Sequence, residues 1–345
     1  MNNRDIVVIG ASAGGVEALQ DLVRSLPPTL PAAVFVVLHF PEHGTSVLPR
    51  ILSRAGPMTA IHAVDCESIV RGRIYVAPPD HHLLLDGKVV RVIRGPRENG
   101  NRPAIDPLFR SAAIAYGPRV IGVVLTGNLD DGTSGLAAIK RRGGFAVVQD
   151  PEDALFPSMP RSALENVRVD RVVPIRQLAK ILIESIKDAA PSDTLPVSQS
   201  DLMENELSAG NLDAIEHPEQ HPGRVSAFSC PDCGGVLWEI HDGEFTRFRC
   251  RVGHAWTGDA LYEQQSNTFE DALWTALRSL EENASLSRQI AAKHRARQSD
   301  SLAKRFDAQA EFIEKRAEVI RASLSQDRVT QSEPADERVD PRRAS

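Results

Sequence analysis

Apolar positions along the chain fall into two regimes. In the first half, short runs rich in β-branched residues recur at Asp5–Gly10 (DIVVIG), Ala33–Leu38 (AVFVVL), Val120–Leu125 (VIGVVL) and Phe145–Gln149 (FAVVQ). Runs this short and this continuously apolar predict parallel strands buried on both faces. After the first run, Leu19, Leu22, Val23 and Leu26 recur at i, i+3, i+4 and i+7. That is one face of an amphipathic helix, closed by Pro27 and Pro28. A further helix is expected near Ser134–Arg142. Ile74–Pro78 and the segment around Asp86-Gly87 (LLLDGKVVRVI) read as edge strands joined by a D-G hairpin turn. Strands alternating with helices at this spacing predict an α/β domain over residues 1–187, with a doubly wound, mostly parallel sheet.

The second half has a different texture. Residues 188–226 are expected to be an acidic, flexible linker. From Asp188 to Gly223 there are eight Asp or Glu, no Lys or Arg, and six Pro or Gly. A small Cys/His module follows at 227–261. After Gly258 no Gly or Pro appears until Pro334. Within that stretch Phe269, Leu273, Leu277, Leu280 and Ala284 form one apolar stripe, and Ala303, Phe306, Ala310, Ile313, Ala317, Ile320 and Leu324 a second. The polar segment Lys293–Ser301 separates them, so residues 262–328 are predicted to form a helical hairpin or coiled coil. The tail, 329–345, is expected to be disordered.

Composition narrows the function classes. Over 345 residues, 40 Lys and Arg against 46 Asp and Glu leave a formal charge of −6, which argues against a polycationic nucleic-acid or membrane binder. No apolar run approaches the roughly 18 residues of a membrane span, and Met1–Asp5 lacks the features of a secretory signal. A cytoplasmic location is therefore expected, with no membrane insertion.

Candidate chemistry gathers where predicted strands end. Gly10-Ala11-Ser12-Ala13-Gly14 hands a strand over to a helix, which would hold the Ser12 hydroxyl above the carboxyl edge of the sheet. A plain Ser N-cap and a phosphate-cradling turn are the alternatives, although G-x-G-x-x-G and a Walker Lys are both missing. His39 directly follows the second strand, where a neutral imidazole could take the serine proton. His43, His62, His81 and His82 compete with it, and a structural histidine is the alternative. Thr126-Gly127-Asn128-Leu129-Asp130-Asp131-Gly132 follows a third strand and offers two carboxylates to orient an imidazole, or ordinary turn residues. Ligands of open α/β sheets bind at this edge.

At this point the first domain resembles the catalytic domain of CheB-type chemotaxis methylesterases. The resemblance runs through IGASAGG (9–15), LHFP (38–41), IYVAPPDHHL (74–83), NRPAIDPLFRS (101–111), VVLTGNLDDGTSGL (123–136) and MPRSAL (159–164), in family order. It implies Ser12 as nucleophile, His39 as base and Asp131, directly before the glycine, as orienting acid. Ala13, Gly14, Arg102 and Asn128 would form the substrate and oxyanion region, Arg102 as a substrate-positioning or site-supporting cation, with a solvated surface arginine as the alternative. The implied activity is hydrolysis of glutamyl methyl esters on methyl-accepting chemoreceptors, with glutamine deamidation as a related reaction and no catalytic cofactor. The alternative is a signalling or scaffold module in another pathway. Three departures stand out. Ala13 replaces the usual Thr, Leu129 occupies a glycine position, which puts the local backbone in question, and the receiver domain that usually precedes this domain is absent from the sequence.

Cys230-Pro-Asp-Cys233 and Cys250-Arg-Val-Gly-His254 give C-x2-C-x16-C-x3-H. Two close ligand pairs a hairpin apart suit a structural, tetrahedral Zn2+, and Cys-Pro-x-Cys-Gly-Gly resembles the knuckle of a zinc ribbon. The module is expected to be mechanically independent of the α/β domain. Cys66 reads as a small core residue. The basic-aromatic cluster Phe245–Arg251 is short and the linker is acidic, so the module is expected to meet a protein rather than nucleic acid, and the helices a protein partner, with self-association equally allowed.

Overall fold

The computed structural model describes residues 3–40, 44, 46–191, 196–211, 223–242 and 245–331. His43, parts of the acidic stretch (192–195 and 212–222) and the tail from 332 lie outside these. The chain divides into two units, Met1–Tyr262 and Glu263–Ser345.

The first unit is built on β1 (Ile6–Ala11), α1 (Gly15–Arg24), β2 (Ala33–Leu38), α2 (Leu48–Ala55), β3 (Thr59–His62), β4 (Arg73–Val76), the hairpin β5 (His82–Asp86) and β6 (Val89–Ile93), and α3 (Ile105–Tyr116). There follow β7 (Val120–Val124), α4 (Thr133–Arg141), β8 (Phe145–Gln149), α5 (Ser158–Asn166), β9 (Arg171–Val173) and α6 (Ile175–Lys187). Seven parallel strands run in the order β3-β4-β2-β1-β7-β8-β9, while β5 and β6 pair separately. β1 lies near the centre, with Ala11 opposite Leu38 and Gly10 opposite Val124, so β1, β2 and β7 end at one level.

Alternating side chains divide the core. Val7, Ile9, Val34 and Val36 pack beneath α1, α2 and α6. Ile6, Val8, Phe35 and Val37 pack on the opposite face against α3, α4 and α5. Burial on both faces is why these strands read as continuous apolar runs rather than as alternation. One expectation is corrected here. β4 is an interior strand between β3 and β2, and the edge is β3, whose sequence TAIH is too short and too polar to announce itself. Cys66 is also not a core residue. It is exposed, at φ 63°.

The acidic stretch departs from its composition as well. Gln199–Ser208 forms helix α7, capped by the Ser198 hydroxyl, which accepts the Asp201 N–H at 3.0 Å. Its residues Glu204 and Ser208 are buried. A small antiparallel sheet follows, β10 (Arg224–Ser229), β11 (Val236–Asp242), β12 (Phe245–Cys250) and β13 (Ala255–Thr257), beginning three residues before the expected module. Its own core is small: Leu237, Phe248, Trp256, Ala260 and Leu261 with Cys230 and Cys250.

The ribbon is fastened to the α/β domain rather than independent of it. Ala255 donates its N–H to the Arg97 carbonyl (3.1 Å) and accepts the Asn99 N–H (2.8 Å), so β13 adds an edge to the 97–99 segment. Beneath this lies a buried charge cluster. Arg110 of α3 chelates Glu98 at 2.8 and 2.9 Å and meets Glu204 at 3.2 Å. Arg247 of β12 grips Glu204 with two bonds of 2.6 Å, and Arg249 reaches Glu98 at 3.0 Å. Burial opposes ionisation of Glu98, yet Arg110 and Arg249 hold its carboxyl well below the usual range. Glu204 of the acidic segment is therefore one of two carboxylates in an ion-pair lock whose arginines sit elsewhere in the chain.

In the second unit, helix α8 (Gly258–Ala296), from Glu263 onward, and α9 (Asp300–Gln331) form an antiparallel hairpin. Its seam includes Leu277, Ala284 and Ala291 against Ala303, Ala310, Ala317 and Leu324, a seven-residue repeat dominated by alanine. Arg288–Glu314 (2.6 Å), Arg321–Glu281 (2.5 Å) and Arg295–Asp307 bridge the two helices in antiparallel register. Phe269 departs from the expected stripe and is exposed.

Candidate active site

Ser12 is the first residue past β1. Its N–H donates to the Thr126 carbonyl (3.0 Å) and its own carbonyl accepts the Gly15 N–H (2.9 Å), which fixes the turn into α1. Gly14 makes the turn at φ 71°, a left-handed value that suits glycine. Gly127 lies so close that a Cβ there would meet the Ser12 Cβ at 2.8 Å. Ser12 itself is half-buried, at the N-terminus of α1.

His39 follows β2 and its side chain is 12% exposed. Nδ1 stands 3.1 Å from the Ser12 Oγ, and Nε2 stands 2.8 Å from Asp131 Oδ2. Serine, imidazole and carboxylate thus form one chain of hydrogen bonds across three strand ends. His62, His81 and His82 are engaged elsewhere, by the carbonyls of Ser46, Pro79 and Pro96.

Three carboxyls crowd this place, and their surroundings separate them. Asp131 is 2% exposed, so burial opposes its charge. Against that, the His39 ring and the N–H groups of Ile105 (2.7 Å), Asp106 (3.3 Å) and Gly132 (3.0 Å) converge on it. Two of those N–H groups open α3, whose positive dipole end faces the carboxylate. The result is a carboxyl held below its usual range. Asp106 is pushed the other way, well above it, by burial and by the Asp131 charge. Its Oδ1 accepts N–H groups from Gly132 (3.1 Å) and Gly135 (2.6 Å). Burial lifts Asp130 to about 7, and its carboxyl receives the Thr257 hydroxyl at 2.8 Å. At neutral pH the ionised partner of His39 is Asp131.

The remaining candidates fall into different roles. Ala13 and Gly14 lie on the Ser12 turn, and the Ala13 carbonyl accepts the Thr126 hydroxyl at 3.0 Å. Asn128 is exposed on the β7–α4 loop. Leu129, in the glycine position, keeps a left-handed backbone at φ 60°. Arg102 donates to Asp80 (2.7 Å) and to the Gly95 carbonyl (2.9 Å).

Two residues escaped the sequence reading. Asn99 donates its side-chain amide to Asp131 Oδ1 at 3.2 Å, and its Oδ1 accepts the Thr257 N–H at 2.9 Å. The signal for Asn99 was the Asn99-Gly100 dipeptide, whose φ values of 51° and 71° suit a primed turn closed between Glu98 and Asn101. Thr257 precedes α8 and caps it, its hydroxyl accepting the Ala260 N–H at 3.2 Å.

On the ribbon, Cys230, Cys233, Cys250 and His254 bring four ligand atoms within 4.8 Å of one another. Cys233 Sγ–Cys250 Sγ is 3.7 Å, and His254 Nδ1 stands 3.7 and 3.6 Å from Cys230 and Cys250. A metal with bonds of about 2.0–2.3 Å would give a tetrahedron with edges of about 3.5–3.8 Å.

Residues 7–182, half of the chain, match the CheB methylesterase family. A putative protein-glutamate methylesterase/protein-glutamine glutaminase of Leptospira interrogans is 40% identical over 182 residues, covering 52% of this chain and 94% of the relative. Protein-glutamate methylesterase/protein-glutamine glutaminase 2 of Rhodospirillum rubrum is 35% identical over 184 residues, covering 52% of this chain but only 50% of that protein. The crystal structure of the Thermotoga maritima CheB methylesterase catalytic domain superposes with a TM-score of 0.51 at 35% identity, covering 52% of this chain and 97% of the domain. With the parallel sheet, the match and the relatives in agreement, the chain belongs to the CheB methylesterase family.

Proposed function

We propose that this protein hydrolyses glutamate γ-methyl esters on methyl-accepting chemoreceptors, with glutamine side-chain amides as a second substrate. The observation that carries the reading is the position of His39, whose two ring nitrogens face Ser12 and Asp131. With the Nε2–H donated to Asp131, Nδ1 presents its lone pair to the serine hydroxyl. Ser12 Oγ attacks the ester carbonyl and gives its proton to Nδ1. The tetrahedral oxyanion rests on backbone N–H groups of the Ala13-Gly14 turn, with the Asn128 loop beside it. Collapse expels methoxide, which takes the proton back and leaves as methanol. Water then attacks the acyl-serine by the same relay and returns free glutamate. Asp131 stays ionised throughout and fixes the tautomer. A serine-reactive phosphonate should label one site, Ser12, and failure to label it in the intact protein would favour a scaffold without chemistry.

The Cys3His cluster is best read as a structural Zn2+ site. The separations suit a tetrahedral ion, both donor pairs sit on tight turns, and a core of seven residues is too small to fold the ribbon unaided. Four protein ligands leave no position for a catalytic water. We place the protein in the cytoplasm, where receptor methyl esters are exposed to it. The exposed Phe269, Trp274, Phe312 and Val319 of the hairpin suit a protein partner. Among the described residues no helix is long and apolar enough to cross a membrane.

A further inference from the structure

We propose that Asn99 is a positioning residue through which the C-terminal ribbon completes the active site. The inference rests on the assignment of Asp131 as the orienting acid. One side-chain amide makes both connections. Its donor end meets Asp131 Oδ1 at 3.2 Å and its acceptor end takes the N–H of Thr257 at 2.9 Å. The orientation of the amide is dictated by its neighbours, because a carboxylate only accepts and a backbone N–H only donates.

The surroundings make this link directional. Asn99 is 8% exposed, so its amide has little water to fall back on. Its backbone N–H is bonded to the Ala255 carbonyl, which ties the turn to β13 on both main chain and side chain. Trp256 packs over Gly100 in the same turn, with ring atoms 3.6 and 3.7 Å from where a Cβ would stand. The Thr257 hydroxyl bonds Asp130, the immediate neighbour of Asp131. The ribbon therefore reaches the acid's loop twice, directly at Asp130 and through Asn99 at Asp131. If β13 moves, Asn99 loses its anchor and Asp131 loses one of the donors that set its angle toward the imidazole, keeping the N–H groups of Ile105, Asp106 and Gly132. Folding of the ribbon thereby becomes a condition for fast turnover.

The test uses the full-length chain and a peptide carrying a glutamate γ-methyl ester. Asn99→Gly removes the amide while keeping a residue at ease at φ 51°. It should lower kcat about ten- to a hundred-fold and leave KM unchanged, because Asn99 touches the acid rather than the substrate. Asn99→Asp keeps the acceptor for Thr257 and loses the donor to Asp131, so it should be no faster than Asn99→Gly. Cys250→Ser loosens the ribbon at the turn between β12 and β13 without touching Asn99 and should lower kcat by a similar factor. The decisive variant is the double, Asn99→Gly with Cys250→Ser, which should be no slower than the slower single. Multiplying losses in the double variant, or an unchanged kcat in Asn99→Gly, would overturn the proposal. Metal analysis and circular dichroism of each variant separate loss of the ribbon from global unfolding. A Ser12→Ala control that remained active would instead overturn the assignment of the catalytic site itself.

Discussion

At the residue scale, the two adjacent aspartates show how placement divides identical side chains. Asp131 meets His39 and the N-terminus of α3, whereas Asp130 is buried and receives the Thr257 hydroxyl. Asp131→Asn should preserve the fold and lower kcat by about 10⁴, since the amide favours the wrong tautomer. Asp130→Asn should leave kcat within a few-fold and alter stability instead. Its folded value of about 7 lies above the free value of 3.8, so between these the native state binds the extra proton. Stability from this group is therefore lost as pH rises from about 4 to about 7, and Asp130→Asn should flatten that slope in denaturant titrations run across the range. Leu129 supplies another residue-scale test. A leucine at φ 60° carries strain that glycine lacks, so Leu129→Gly should raise stability by about 1 kcal/mol in chemical denaturation. Ser12 and His39 were legible because each follows a short apolar run that marks the sheet edge, and the Asp130-Asp131 pair because it lies in the loop that leaves a third such run. The choice of Asp131 came from family resemblance, and the geometry supplies its physical reason. Asn99 was not legible in its role, because its partner Thr257 comes 158 residues later.

At the element scale, the Glu98, Glu204, Arg110, Arg247 and Arg249 cluster joins α3, α7 and β12. Breaking a buried pair by removing one partner strands the other charge. Glu204→Ala should therefore destabilise the first unit by about 3–5 kcal/mol, read as a lower denaturation midpoint, whereas an exposed pair such as Arg278–Glu282 should matter little. The hairpin offers a packing test. Ala310 is fully buried in an alanine-rich seam, so Ala310→Leu should overpack it and cost about 1–3 kcal/mol in its thermal transition. Hydrophobic periodicity located most of these elements, since it reports which faces are buried. It says nothing of neighbour order, which is why β4 read as an edge strand. Local composition misled at α7, because an acidic segment reads as solvated until the arginines that bury it are placed.

At the scale of the whole molecule, a parallel sheet brings three strand ends together, and an appended ribbon closes on the loop that carries the acid. Three side chains from residues 12, 39 and 131 meet because β1 lies between β2 and β7. The most direct test is methanol release from methylated chemoreceptors by the full-length protein and its Ser12→Ala variant. Steady release by the native chain, and none above the uncatalysed background by the folded variant, is the predicted result. Equal release by the two proteins would contradict it.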